Sequence, residues 1–131
     1  MKCLFCQIIN REKNAYIIAE NEGAIAILDL FSVSDGHILL ISRQHFTNIV
    51  EVDPPTWNYF LPLIKNIINK LQVNFSPSGF NVISNMGEMA YQSITHLHIH
   101  IIPKYEKEQG FIWSSQPELK YSLIQVAEKL K

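Results

Sequence analysis

Thr95-His96-Leu97-His98-Ile99-His100-Ile101-Ile102-Pro103 places three of the chain's five histidines at alternate positions, with Leu97, Ile99 and Ile101 between them. A period of two with aliphatic spacers predicts a strand, imidazoles on one face and aliphatic side chains on the other. Pro103 has no N–H for a sheet ladder, so the strand is expected to stop there. Imidazoles contribute little to a core, so three on one face point to a ligand or partner rather than to packing.

Working outward, the polar loop Asn85 to Ile94 leads back to Phe80-Asn81-Val82-Ile83-Ser84, a second strand entered from the turn Ser76-Pro77-Ser78-Gly79. Tyr16 to Glu20 and Ala24 to Asp29 flank Asn21-Glu22-Gly23 as a hairpin. His37 to Ser42 follows the turn Ser34-Asp35-Gly36 as another strand. Asp53 and Pro54 form a helix start, and Trp57, Phe60, Leu61, Ile64, Ile68 and Leu71 continue with helical period to about residue 73. Pro62 should kink that helix or delay its regular part. Leu4, Phe5, Ile8 and Ile9 suit a short amphipathic helix, and Leu119, Leu123, Val126, Ala127 and Leu130 a last one opening near Pro117. The sum is a single α+β domain over residues 1–131: an antiparallel five-stranded sheet with one long helix and a C-terminal helix.

Composition narrows the function. With 47% apolar residues the chain can bury a proper core. A net charge of −1 without a basic run leaves no electrostatic footprint for nucleic acid. No apolar stretch approaches the ~18 residues of a membrane span. The start, Met1 to Cys6, lacks a signal-peptide pattern, so a cytoplasmic protein is expected. In that compartment Cys3 and Cys6 are expected as reduced thiols or metal ligands rather than a disulfide. Their spacing suits zinc but has no second Cys-x-x-Cys beside it.

On a strand, side chains two residues apart root ~6.5–7 Å from each other, so neighbouring imidazoles can converge on one atom. A His-x-His pair can hold catalytic zinc, but only Glu88 lies near as a carboxylate base. Alternatively one neutral imidazole attacks phosphorus, and water later cleaves the phosphorus–nitrogen bond. Asn85, Gly87, Gln92 and Ser93, just upstream, are neutral donors or close-approach positions suited to a phosphate.

These stretches resemble the histidine triad family of nucleotide hydrolases and transferases. The likeness runs from Cys3-Leu4-Phe5-Cys6-Gln7-Ile8-Ile9 through Asp35-Gly36-His37-Ile38-Leu39-Leu40-Ile41 and Phe80 to Asn85, to Gln92-Ser93-Ile94-Thr95 and the triad itself. The resemblance implies that His98 attacks the α-phosphorus, that His100, Ser93 and Asn85 hold the phosphate, and that Ser93 helps protonate a leaving amine. It implies that His37 buttresses the site and Asp29 binds the ribose hydroxyls. Leu4, Phe5, Ile8, Ile27 and Leu30 match the pocket for the base, and Gln92 belongs to the nucleotide-binding loop. His100, where the transferase branch has glutamine, favours hydrolysis.

Zinc-containing bacterial members pair Cys3 and Cys6 with the positions of His45 and His96, so the resemblance implies a structural zinc. It also implies a homodimer and a purine nucleotide substrate, AMP being the preferred product. Dinucleoside polyphosphate hydrolysis, or nucleotide-dependent regulation of a protein partner with weak hydrolysis, are the alternatives. Two departures from the family pattern stand out: Tyr91 replaces a small residue before Gln92, and Ser34-Asp35-Gly36 lacks a proline before Gly36-His37.

Overall fold

Alternation builds the sheet as expected. The structure, a computed structural model, describes residues 3–115 and 117–131. Strands β1 (Ile17–Glu20), β2 (Ala24–Leu28), β3 (Ile38–Ser42), β4 (Gly79–Ile83) and β5 (His98–Lys104) form one sheet in the order β1-β2-β3-β5-β4. Every neighbouring pair is antiparallel. Leu39 and Ile83 flank His100, and Ile41 lies opposite His98, so the histidine strand is held on both sides.

The two faces are covered differently. Ala24, Ala26, Ile38, Leu40, Ile99 and Ile101 turn towards the long helix α3 (Phe60–Phe75), which buries Phe60, Leu63, Ile67 and Leu71 against them. Ile25, Ile27, Leu39 and Ile41 face the other way, under Phe5 and Ile8 of α1 (Leu4–Ile9). His98 and His100 lie on this second face too, His98 buried against Phe5 of α1 and His100 partly exposed. A core on one side and a thin cover on the other leave His100 partly open to solvent.

The helical pattern from Pro54 is broken in two. A short α2 (Pro54–Trp57) is capped by Asp53 Oδ2, which accepts from the Thr56 N–H, and α3 restarts at Phe60. Pro62 explains the gap: its ring excludes the carbonyl four residues back, at Asn58, so a continuous helix cannot pass. Helix α3 then runs to Phe75 and ends on Ser76 in the left-handed region.

Two boundaries differ from expectation. Strand β5 does not stop at Pro103 but continues to Lys104, with Pro103 paired to Phe80. The Pro103 carbonyl accepts from Ser34 Oγ at 2.7 Å, on the side where the β3 ladder has ended at Ile38, so the missing N–H costs no ladder bond. The last helix, α4 (Leu123–Leu130), opens at Ser122 rather than near Pro117, because Ser122 and Gln125 form a reciprocal capping box there.

Candidate functional site

The strand proper begins at His98, which leaves His96 in the turn before it and gives that residue two tasks. Its Nε2 lies 2.7 Å from the Ser42 carbonyl. A carbonyl only accepts, so the proton is on Nε2 and the Nδ1 lone pair points away from Ser42. That Nδ1 lies 3.2 Å from Cys3 Sγ, 3.5 Å from Cys6 Sγ and 3.1 Å from His45 Nδ1, with Cys6 Sγ 3.3 Å from His45 Nδ1. A tetrahedron on zinc–sulfur and zinc–nitrogen bonds has edges of about 3.3–3.8 Å, so the four donors stand at nearly that spacing. Burial and the adjacent Cys3 push the metal-free Cys6 thiol up to about 11. A dication would reverse that by binding the thiolate. Cys3, Cys6, His45 and His96 thus form a cluster fit to hold a metal, with the Ser42 carbonyl orienting one ligand ring.

The backbone carbonyl of the same His96 accepts from His98 Nδ1 at 2.7 Å. The proton of His98 is therefore on Nδ1, and Nε2 keeps its lone pair. The ring packs edge-on against Phe5 and His100, with centroids 5.1 and 5.2 Å away. Burial lowers its pKa below the ordinary 6.5, against the opposing pull of the His96 carbonyl and Asp29. His98 is a neutral, oriented base.

His100 has the opposite tautomer. The Val33 N–H donates to His37 Nδ1 at 3.2 Å, which puts the His37 proton on Nε2. That Nε2 lies 2.9 Å from His100 Nδ1 and 3.4 Å from Asp29 Oδ2. His37 therefore donates chiefly to His100 Nδ1, and neutral His100 carries its own proton on Nε2. Burial holds His100 down at about 4, helped by repulsion from His98 and His37 and opposed by Asp29. Burial also lowers His37, which Asp29 partly offsets. Neighbouring rings thus present a lone pair (His98) and an N–H (His100), the pairing a nucleophile and an oxyanion donor require. Asp29, His37 and His100 also lie close enough to share an ion. With Val33 occupying Nδ1 of His37, its Nε2 is a donor, so this trio suits a hydrogen-bond relay better than a metal.

The loop 85–94 is braced from within. Gln92 is buried, and its Oε1 accepts from the Gly87 N–H while its Nε2 donates to the carbonyls of Thr47 and Ile94. Its amide spans the loop as a strut. Gly87 has φ +91°, a conformation side chains rarely adopt. Asn85 shares a hollow of about 240 Å³ with Val33, His37 and His100. Ser93 is exposed and opens onto a second hollow of about 640 Å³, together with Thr47, Glu88, Tyr91 and Thr95.

The residues expected around a base divide into two groups. Phe5, Ile8 and Ile27 are buried together on the α1 side of the sheet, whereas Leu4 is 42% and Leu30 73% exposed. Asp29 sits between, its Oδ1 accepting from the Phe31 N–H at 2.8 Å and its Oδ2 turned to the histidines. Two groups escaped the sequence reading: the Val33 N–H, which sets the His37 tautomer, and the Ser42 carbonyl, which sets that of His96. The one trace of Ser42 was a serine ending an otherwise aliphatic strand.

The HIT domain matches residues 10–107, which include the whole sheet and His37, His98 and His100. The chain belongs to the HIT domain family. An adenosine 5′-monophosphoramidase of Schizosaccharomyces pombe is 32% identical over the whole of both chains. A HIT family protein of Bacillus subtilis superposes with a TM-score of 0.86 at 30% identity, covering 99% of this chain and 95% of that one. A zinc-bound histidine triad family protein of Mycobacterium smegmatis superposes with a TM-score of 0.77 at 26% identity, covering 88% and 85%. This HIT domain is thus a member of a nucleotide-processing family with the family fold, and no helix among its described residues is long and apolar enough to cross a membrane.

Proposed function

We propose that the protein hydrolyses nucleoside phosphoramidates or related phosphoanhydrides and releases nucleoside monophosphate, preferably AMP, through a nucleotidyl-His98 intermediate. The observation that carries this is the pair of opposite tautomers: a lone pair on His98 Nε2 beside an N–H on His100 Nε2. In the first step His98 Nε2 bonds to the α-phosphorus as the bond to the leaving group breaks, and Ser93 passes a proton to the departing amine. In the second, water attacks the same phosphorus and returns a proton to Ser93, the phosphorus–nitrogen bond to His98 breaks, and AMP leaves with the neutral imidazole restored. His100 and Asn85 hold the phosphate oxygens, and His37 keeps His100 in its donating tautomer. Asp29 takes the ribose hydroxyls, Phe5, Ile8 and Ile27 floor the base, and Leu4 and Leu30 form its rim. Gln92 holds the loop that carries Ser93. The adenosine preference is supported by the S. pombe relative named as an adenosine 5′-monophosphoramidase.

Because His98 titrates below the ordinary 6.5, its nucleophilic form persists on acidification. Turnover should hold level down to about pH 6.5 and fall only below it. An acidic limb with its midpoint above pH 7 in a pH–kcat/KM profile would contradict this.

In the same reading Cys3, Cys6, His45 and His96 hold a structural zinc. When bound, it supplies a fixed link between the start of α1 and the turn preceding β5. The chain's own contribution is His96, whose side chain belongs to that cluster while its carbonyl orients His98. Reduced thiols in this role fit a cytoplasmic setting. The protein is expected to pair into a two-fold dimer in which two sheets join. Light scattering at micromolar concentration should give twice the 15.1 kDa of one chain. A monomer mass would count against it.

A further inference from the structure

We infer that the loop after β5, residues 105–111, is a strap that holds the turn bearing His37 in register with His100, and that Gly110 is the positioning residue at its closest contact. The inference rests on the hydrolase reading above, since it concerns the N–H that His100 offers to phosphate. Three fastenings join the end of β5 and this loop to the turn 33–36. Ser34 Oγ donates to the Pro103 carbonyl at 2.7 Å, and the Tyr105 hydroxyl donates to the Asp35 carbonyl at 2.8 Å. The third is steric. A Cβ at Gly110 would stand 3.1 Å from Val33 Cγ2 and 3.4 Å from Ile102 Cγ2, so only a residue without a side chain lets the loop lie this close.

The loop is folded to make that approach. Lys104 Nζ donates to the carbonyls of Lys107 and Phe111, on either side of Gly110, and turns the chain back on itself. Gln109 Oε1 accepts from the Tyr105 N–H at 3.1 Å and closes the same curl. Gly110 and Phe111 thereby reach the hollow that holds His37, His100 and Asn85. What the contact controls is the Val33 backbone, whose N–H donates to His37 Nδ1 at 3.2 Å and keeps the His37 proton on Nε2. That proton faces His100 Nδ1 at 2.9 Å and leaves the His100 proton on its own Nε2. A side chain at position 110 would press on two neighbours. Ile102 is fixed in β5, paired with Asn81, whereas Val33 lies in a turn. Its β-branched side chain cannot swing aside cheaply, so its backbone gives way and carries the N–H from His37.

The test reads the protons directly. Nitrogen-15 NMR of the imidazoles should find wild-type His37 and His100 protonated on Nε2 and His98 on Nδ1. Gly110→Ala should turn the His37 and His100 signals into averages of both tautomers and leave His98 on Nδ1. It should lower kcat on an adenosine phosphoramidate about tenfold, with KM within about twofold. Alanine also strains a backbone held at φ +63°, and a second background separates that cost from the contact. In Val33→Ala, which lacks the Cγ2 that the new Cβ meets, adding Gly110→Ala should cost only about twofold in kcat. Tyr105→Phe cuts one fastening at the surface and should average the same two signals in part, which keeps the test decisive should Gly110→Ala fail to fold. Unmoved His37 and His100 signals in folded Gly110→Ala, or in Tyr105→Phe in its place, would overturn the strap and leave nucleotidyl-His98 standing. An equal loss of kcat from Gly110→Ala in both backgrounds would overturn it too. Averaged signals in the variants of a protein that cleaves no phosphoramidate would support the strap and overturn the hydrolase reading instead.

Discussion

Replacing His98 with asparagine should lower turnover of an adenosine phosphoramidate by a factor on the order of 10⁴ or more. Affinity for AMP should change only a few-fold. The substitution removes the Nε2 lone pair but keeps an N–H able to reach the His96 carbonyl, which now accepts from His98 at 2.7 Å. His98 is only 6% exposed, so alanine would add a cavity and mix lost chemistry with lost packing. Asparagine separates the two. The measurement is single-turnover kinetics with AMP binding followed alongside. Activity within tenfold of the wild type would remove His98 from the nucleophile's place.

Stripping zinc should have the second largest effect. A protein purified without chelator is expected to carry about one equivalent, since four donors stand within 4.8 Å of one another and the His96 tautomer is already set by Ser42. Removing the ion leaves two thiols and two imidazoles crowded together with nothing between them. A loss of roughly 2–4 kcal/mol, at about 3–5 °C each for a chain this size, lowers the melting temperature by on the order of 10 °C. Because the His96 carbonyl orients His98, kcat should also fall, by more than KM rises. Cys3→Ser with Cys6→Ser should reproduce both changes and bind no zinc. Scanning calorimetry with elemental analysis checks this. A melting temperature unmoved by metal removal would refute the structural role.

Much of this architecture is written in local pattern. The alternation of His98, Ile99, His100 and Ile101 shows the strand and its two faces, and Pro62 foretells the break before α3, because both depend on near neighbours alone. Pro103 misleads because its effect depends on where another strand ends: β3 pairs only as far as Ile101, so proline sits at a local edge. Helix α4 starts later than the periodicity from Leu119 suggests, because the reciprocal exchange between Ser122 and Gln125 sets its first turn.

At the site, residue types were legible and their protons were not. Nothing in the order His96-Leu97-His98 says that the His96 carbonyl turns onto the ring two residues on, or that Ser42, 54 residues before His96, orients the His96 ring. The His37 tautomer is set by a backbone N–H at Val33, a group every residue but proline possesses and no sequence motif marks. Leu30 shows the remaining limit: the family resemblance assigns it to the pocket for the base, yet it is 73% exposed and walls no buried space.

The central claim concerns a covalent bond at one ring nitrogen. Brief mixing with an adenosine phosphoramidate, acid-free quenching and mass spectrometry of the digested protein would locate it. The account predicts an adenylate on the peptide that contains His98, absent from His98→Asn. An adenylate on any other residue, or none at all during steady turnover, would contradict it.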